Sequence, residues 1–180
     1  MKNAPEVEAK FQLRPGQREA LVAKLGEPAR ILEQHDDYFD VPGRVLRIRR
    51  ENGQFLLTRK DPTTLSAAGI KSRHEVEYPL PETMVPQLEE LLVWLGHERL
   101  MSVSKRRAEY EVPGFIICLD RIDDLELPDF VEIESAGGDP DALLRLRDDL
   151  GLAADQVECR SYAALVAAAV QTRQTVEAEG

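Results

Sequence analysis

Cysteine is scarce in this chain of 180 residues: only Cys118 and Cys159 occur. Two distant thiols form neither a disulfide framework nor a metal-type spacing, and they fit a reducing, cytoplasmic setting. Aromatics are few, at 6%, with one tryptophan. No run of about 18 apolar residues occurs, so no membrane span is expected. The opening MKNAPEVEAK lacks the apolar stretch of a secretory signal. No Gly/Ser-rich linker or internal repeat divides the chain. One domain over 1–170 is therefore expected, with QTRQTVEAEG (171–180) as a frayed tail. Positive charge is also in deficit, the net charge being -10. That argues against a general nucleic-acid or anionic-membrane binder. A small polyanion stays admissible, because it needs positive charge only locally.

What is present is charge in alternation with apolar residues: 31% charged and 43% hydrophobic. In PEVEAKFQL (5–13), Glu6, Glu8 and Lys10 share one face of a strand and Val7, Ala9 and Phe11 the other. Further strands read at 29–41, 45–51, 54–61, 70–80, 99–112, 115–123 and 129–135. Asn52-Gly53 is a hairpin signal between two of them, and Pro113-Gly114 joins two others. Helices read from Pro15 to Leu25, through Val85, Leu88, Leu91, Leu92 and Leu95, from Pro140 to Leu150, and after the cap Ser161.

The polar faces of these strands are ionic and blocked by sign. Residues 6 and 8 are acidic, 47 and 49 basic, 105 and 107 basic, 132 and 134 acidic. A wet antiparallel sheet gives alternation but mixes its polar residues at random. A barrel with a polar interior gives the same alternation turned inward. Glu6, Glu8, Glu75, Glu77, Asp120, Glu132 and Glu134 balance Lys10, Arg47, Arg49, Lys60, Arg73, Lys105 and Arg107 in charge. Enclosed together without a ligand, such groups carry a large desolvation cost. Two divalent cations would bring roughly +4 into that cavity, which a triphosphate about offsets. Carboxylates suit Mg²⁺ or Mn²⁺, and arginine forks and lysine ammoniums suit phosphate oxygens.

EVEAK fits the ExExK signature of the CYTH superfamily, the triphosphate tunnel metalloenzymes. HDDYFD (35–40), LRIRR (46–50), LTRKDP (57–62), RHEVE (73–77), KRR (105–107), LDRIDDL (119–125), FVEIES (130–135) and RSYAALV (160–166) follow in that family's order. The chain resembles the family over roughly 5–166, and HDDYFD and RSYAALV resemble its class IV adenylyl cyclase branch. The resemblance implies an α+β fold: a closed or nearly closed antiparallel barrel of about eight strands, its tunnel charged inside and helices packed outside. It implies that Glu6, Glu8, Glu132 and Glu134 hold divalent metal, with Asp120 and Glu75 assisting. Lys10, Arg47, Arg49, Lys60, Arg73, Lys105 and Arg107 would grip the triphosphate, with Arg160 adding a contact; Lys10 and Asp120 are the catalytic candidates. It implies Mg²⁺ or Mn²⁺ as cofactor, a small-molecule triphosphate as substrate, and a homodimer as one state such domains adopt. The first expectation is conversion of ATP to cyclic AMP and pyrophosphate. The second is hydrolysis of tripolyphosphate, thiamine triphosphate or a nucleoside triphosphate. A non-catalytic nucleotide or polyphosphate sensor is the third.

Other residues read as structural. Cys118 lies in the apolar run FIICL, where a buried inert thiol is expected. Trp94 falls on the helix of Leu88 and Leu95 and is expected to pack. His35, His74 and His97 have no mutual metal spacing.

Overall fold

A computed structural model of the chain describes residues 5–123, 126–135 and 138–179; positions 124–125 of LDRIDDL lie outside the described residues. The strands are β1 (Glu6–Gln12), β2 (Arg30–Phe39), β3 (Val45–Glu51), β4 (Gln54–Lys60), β5 (Thr64–Leu65), β6 (Lys71–Arg73), β7 (Glu75–Leu80), β8 (Arg99–Val112), β9 (Phe115–Ile122) and β10 (Phe130–Ser135). The helices are α1 (Gln17–Leu25), α2 (Val85–Trp94), α3 (Pro140–Asp149) and α4 (Tyr162–Glu179). Among the described residues, no helix is long and apolar enough to cross a membrane.

All ten strands form one antiparallel sheet in the order β5-β6-β1-β10-β9-β8-β2-β3-β4-β7. The α+β fold with a charged concave face is as expected, and the expectation of a closed or nearly closed barrel of about eight strands is refined on two points. Among the described residues the strand count is ten, and the hydrogen-bonded ladder is a curled sheet with two edges. The physical reason lies at His74. The segment read as one strand over 70–80 divides there: β6 pairs with β1 and β7 pairs with β4. Continuous chain thus ties the two sides of the sheet together where the ladder does not. The Asp61 N–H donates to the His74 carbonyl at 2.9 Å and anchors that crossing.

Local chemistry explains the elements. Asn52 and Gly53, at φ 46° and 83°, turn β3 into β4, as residues tolerant of positive φ do in a two-residue hairpin. Asp139 caps α3 by accepting from the Asp141 and Ala142 amides, and Pro140 occupies its first turn. Ser161 Oγ accepts from the Ala164 amide at 3.1 Å and starts α4. Residues 171–179, expected to fray, continue that helix.

The core lies outside the curl. Val7, Ala9, Phe11, Ile117, Leu119, Val131 and Ile133 pack under Leu21 of α1 and Leu143 of α3. Phe39 and Ile48 pack under Leu92 of α2. Covering each convex patch with a helix removes its apolar area from water, at about 25 cal/mol per Å². The ionic residues that alternate with this core therefore face inward. At one end of the curl, Tyr162, Leu165 and Val166 of α4 close it against Tyr38, Val103, Ile122 and Phe130. Trp94, expected to pack, is instead 79% exposed at the end of α2, because Leu92 takes the sheet-facing position.

Candidate active site

The concave face of the sheet encloses a cavity of ≈ 1040 Å³ lined by nine basic and eight acidic side chains. Seven of the expected bases line it: Lys10, Arg47, Arg49, Lys60, Arg73, Lys105 and Arg107. Six of the expected acids do so as well: Glu6, Glu8, Glu75, Glu77, Glu132 and Glu134. Strand alternation delivers them, since each pair of residues two apart points to the same side.

The acids divide into two kinds. Glu6, Glu8 and Glu134 each place one carboxylate oxygen within 4.8 Å of the others. Cross-strand register makes this group: Glu8 of β1 lies opposite Glu134 of β10. Burial, with Glu75 and Glu8 beside it, pushes the Glu6 carboxyl up to about 9 against the pull of Lys60. Burial also raises Glu134, with Glu132 and Glu8 adding to it and Arg107 opposing. The three clustered acids also accept from bases, Glu8 from Arg73 at 3.0 Å, Glu134 from Arg107 at 3.3 Å and Glu6 from Lys60 at 3.5 Å, and the other acids are paired with cations more closely. Glu75 forms an ion pair with Lys60 at 2.5 Å and lies 3.7 Å from Arg47. Burial would raise it, yet Glu6, Lys60 and Arg47 bring it down to about 2. Glu132 pairs with Arg107 and stands 3.9 Å from Lys10.

Asp120 does not join the three-carboxylate group. It is fully buried beneath the lining. Arg107 donates to it through Nε at 2.8 Å and Nη2 at 2.6 Å, and Lys105 Nζ at 3.0 Å. The Tyr162 hydroxyl donates to its Oδ2 at 2.6 Å. Burial opposes ionisation, but Arg107 and Lys105 hold the Asp120 carboxyl below its usual range. Arg160 is not brought to the cavity either. Its side chain is 56% exposed and pairs with Glu158 at 2.5 Å.

Several lining or supporting groups were not read from the sequence. Asp36, 1% exposed, accepts from Arg49 at 2.6 and 2.8 Å and from Arg47 at 3.3 Å. Burial would raise it, but the two guanidiniums hold it well below the usual carboxylate range. Lys71, also buried, sits 4.0 Å from Glu8. Extending the alternation of Arg73, Glu75 and Glu77 by one step upstream would have found Lys71. Gln34 and Glu109 line the far side. Tyr162, which directly follows the cap Ser161, lies 4.0 Å from Lys10 Nζ and 4.3 Å from Lys105 Nζ, ring centroid to nitrogen. Its role depends on the meeting of α4 with β1 and β8, which no local pattern encodes.

The sequence profile of the CYTH domain matches residues 4–162. The chain belongs to the CYTH domain family. A conserved hypothetical protein from Pyrococcus furiosus shares the fold at a TM-score of 0.75 and 28% identity, over 89% of this chain and 99% of that one. PH1819 from Pyrococcus horikoshii OT3 gives 0.72 at 30% identity, over 89% of this chain and 97% of its own. HpAC1 from Hippeastrum is described as an adenylyl cyclase candidate with a dominant triphosphatase activity. It gives 0.66 at 20% identity, over 82% of this chain and 88% of its own, and at that identity speaks for the fold alone. No functionally curated protein sequence matches the chain significantly.

A CYTH domain implies a divalent cation, and the residues here fit one. Three crowded carboxylates, one held protonated up to about pH 9, form a hard oxygen donor set that a cation would stabilise. Cys118 supplies no competing soft ligand. It is buried, and burial, with Glu134 nearby, pushes its thiol well above the usual range.

Proposed function

We propose that this CYTH protein is a divalent-metal-dependent enzyme that cleaves a triphosphate, with water as the attacking group. The observation that carries this reading is the pairing, in one cavity, of the Glu6–Glu8–Glu134 carboxylate group with nine lining bases. Binding a polyanion alone needs the bases; three acids gathered within 4.8 Å add a donor set suited to a cation that accompanies it. When bound, Mg²⁺ or Mn²⁺ supplies charge at the phosphoryl oxygens and promotes ionisation of water.

The chain's own groups do the rest. Arg47, Arg49 and Arg107 are held rigid by Asp36 and Asp120, so their remaining N–H groups meet phosphate oxygens without reorganising. The Nε atoms of Arg47 and Arg73 are buried with no hydrogen-bond partner. Each such donor costs about 1–3 kcal/mol, which an oxyanion that reaches it recovers. Burial, partly offset by Glu132, lowers Lys10 to about 8, so its ammonium can exchange a proton near neutral pH. Asp120 acts in this reading through Lys105 and Arg107 and not as a ligand.

Hydrolysis is preferred over cyclisation because of the lining. Its aromatic side chains among the described residues are Tyr38 and Tyr162, 7% and 6% exposed. Both rings are buried, Tyr38 beside Asp36 and Tyr162 beside Asp120, so neither offers an open face to a base. The test is incubation with Mg²⁺ or Mn²⁺ and, separately, tripolyphosphate, thiamine triphosphate and ATP, with products resolved. Orthophosphate and a diphosphate support the proposal. Cyclic AMP and pyrophosphate would assign a cyclase instead, and binding without turnover a sensor.

A further inference from the structure

Lys10 is 2% exposed, yet among the described residues its ammonium donates no hydrogen bond. Its carboxylate neighbour, Glu132, stands at 3.9 Å, beyond hydrogen-bond reach. What it does touch is aromatic: the Tyr162 ring at 4.0 Å and, further off, the Phe130 ring at 5.9 Å. The same Tyr162 ring lies 4.3 Å from Lys105 Nζ. The ring is itself held from two sides. Its hydroxyl donates to Asp120 at 2.6 Å, and Phe130 meets it edge-on at 5.6 Å and 78°. It is also the first residue of α4, fixed by the packing of Leu165 and Val166 behind it.

We propose that Tyr162 is a positioning residue for the triphosphate grip, its ring holding Lys10 and Lys105 at the cavity wall. This deepens, and rests on, the triphosphate reading. A π face attracts an ammonium electrostatically but lacks the fixed lone pairs of a carboxylate. A carboxylate in the same place would compete with phosphate for the N–H groups and cancel the charge. The ring does neither, so Lys10 faces the cavity with its N–H groups undonated and with Glu132, at 3.9 Å, as its carboxylate neighbour. Lys105 spends one N–H on Asp120 and keeps two. The hydroxyl adds a tether to the same carboxylate that holds one of the cations the ring faces.

The test is metal-free titration calorimetry with sodium tripolyphosphate on wild type, Tyr162→Phe, Tyr162→Leu, and a series with di- and trifluorinated phenylalanine at 162. Fluorination weakens the π face at nearly constant shape. Tyr162→Phe is expected to bind within about twofold of wild type. Affinity should then fall stepwise with fluorination, on the order of tenfold across the series, and at least as far in Tyr162→Leu. A merely structural tyrosine would lower the thermal midpoint and leave affinity flat across the fluorinated proteins, and that result overturns the proposal. If Tyr162→Leu does not fold, the fluorinated series decides. Wild type that binds tripolyphosphate neither here nor with Mg²⁺ present would instead overturn the triphosphate reading and the role of Tyr162 with it; if it binds only with Mg²⁺, the series is read under that condition. Wild type that binds while the series stays flat removes the tyrosine role alone.

Discussion

Replacing Asp120 by asparagine separates an anchor from a metal ligand. Asp120 is fully buried and takes three N–H groups from Arg107 and Lys105 at 2.6 to 3.0 Å. The side chain keeps its size in Asp120→Asn and loses its charge. Arg107 and Lys105, 6% and 2% exposed, are then left with Glu132 as the nearest compensating charge. Removing one partner of a buried ion pair costs about 3–5 kcal/mol; Glu132 places this case near the lower end, at about 3 kcal/mol. With a urea slope of about 2 kcal/mol/M, the unfolding midpoint should fall by about 1.5 M at unchanged slope. Tripolyphosphate should narrow the gap, because its oxygens replace the missing anion and so bind the variant more tightly than wild type. The pH dependence has a definite sign. The folded Asp120 carboxyl is held below its unfolded value of 3.8, so its stabilisation is present above that value. It is lost as pH falls from there through the lower folded value, and the two proteins should converge. A loss under about 1 kcal/mol at pH 7, or full stability with abolished turnover as a ligand would give, refutes the anchor argument.

Four further outcomes are expected. Because Glu6 holds its proton up to about 9, metal binding must release it. Calorimetric Mn²⁺ affinity should therefore rise about tenfold per pH unit between 6 and 8, and lose that slope in Glu6→Gln. Arg49→Ala should weaken tripolyphosphate binding by about 1.5–3 kcal/mol, the worth of a charge-assisted bond; unchanged calorimetric affinity would mean Arg49 does not reach substrate. Lys10, lowered to about 8 by burial, costs stability below that pH and less as pH rises through 8 toward 10.5. Lys10→Met should thus raise the urea midpoint at pH 7 while weakening tripolyphosphate binding, and a lowered midpoint would contradict the burial argument. Arg160→Ala, altering an exposed side chain paired with Glu158, should leave KM within about twofold.

Much of this protein is legible in one dimension because a strand's two faces are written as a period of two. Glu6, Glu8 and Lys10, or Arg47 and Arg49, announce one ionic face, and Val7, Ala9 and Phe11 its apolar reverse. The boundaries of β3 and β8 follow directly from that alternation, and Asn52-Gly53 from turn chemistry. Membership of the CYTH family was legible too, from ordered motifs whose spacing each strand and turn preserves.

What alternation cannot encode is which face is inside, and which charges meet. The curl of the sheet decided the first, by burying the apolar face under helices and enclosing the ionic one. The division of the 70–80 segment at His74 decided how the curl is tied. Cross-strand register and helix docking decided the second. They gathered Glu6, Glu8 and Glu134 and sank Asp120 beneath Lys105 and Arg107. They also left Arg160 outside and brought the Tyr162 ring to two lysines remote in sequence. Residue type and spacing along the chain determine the stock of acids and bases. Only distance in the folded chain sorts them, because Coulomb and hydrogen-bond energies depend on separations of a few ångströms that sequence order does not fix.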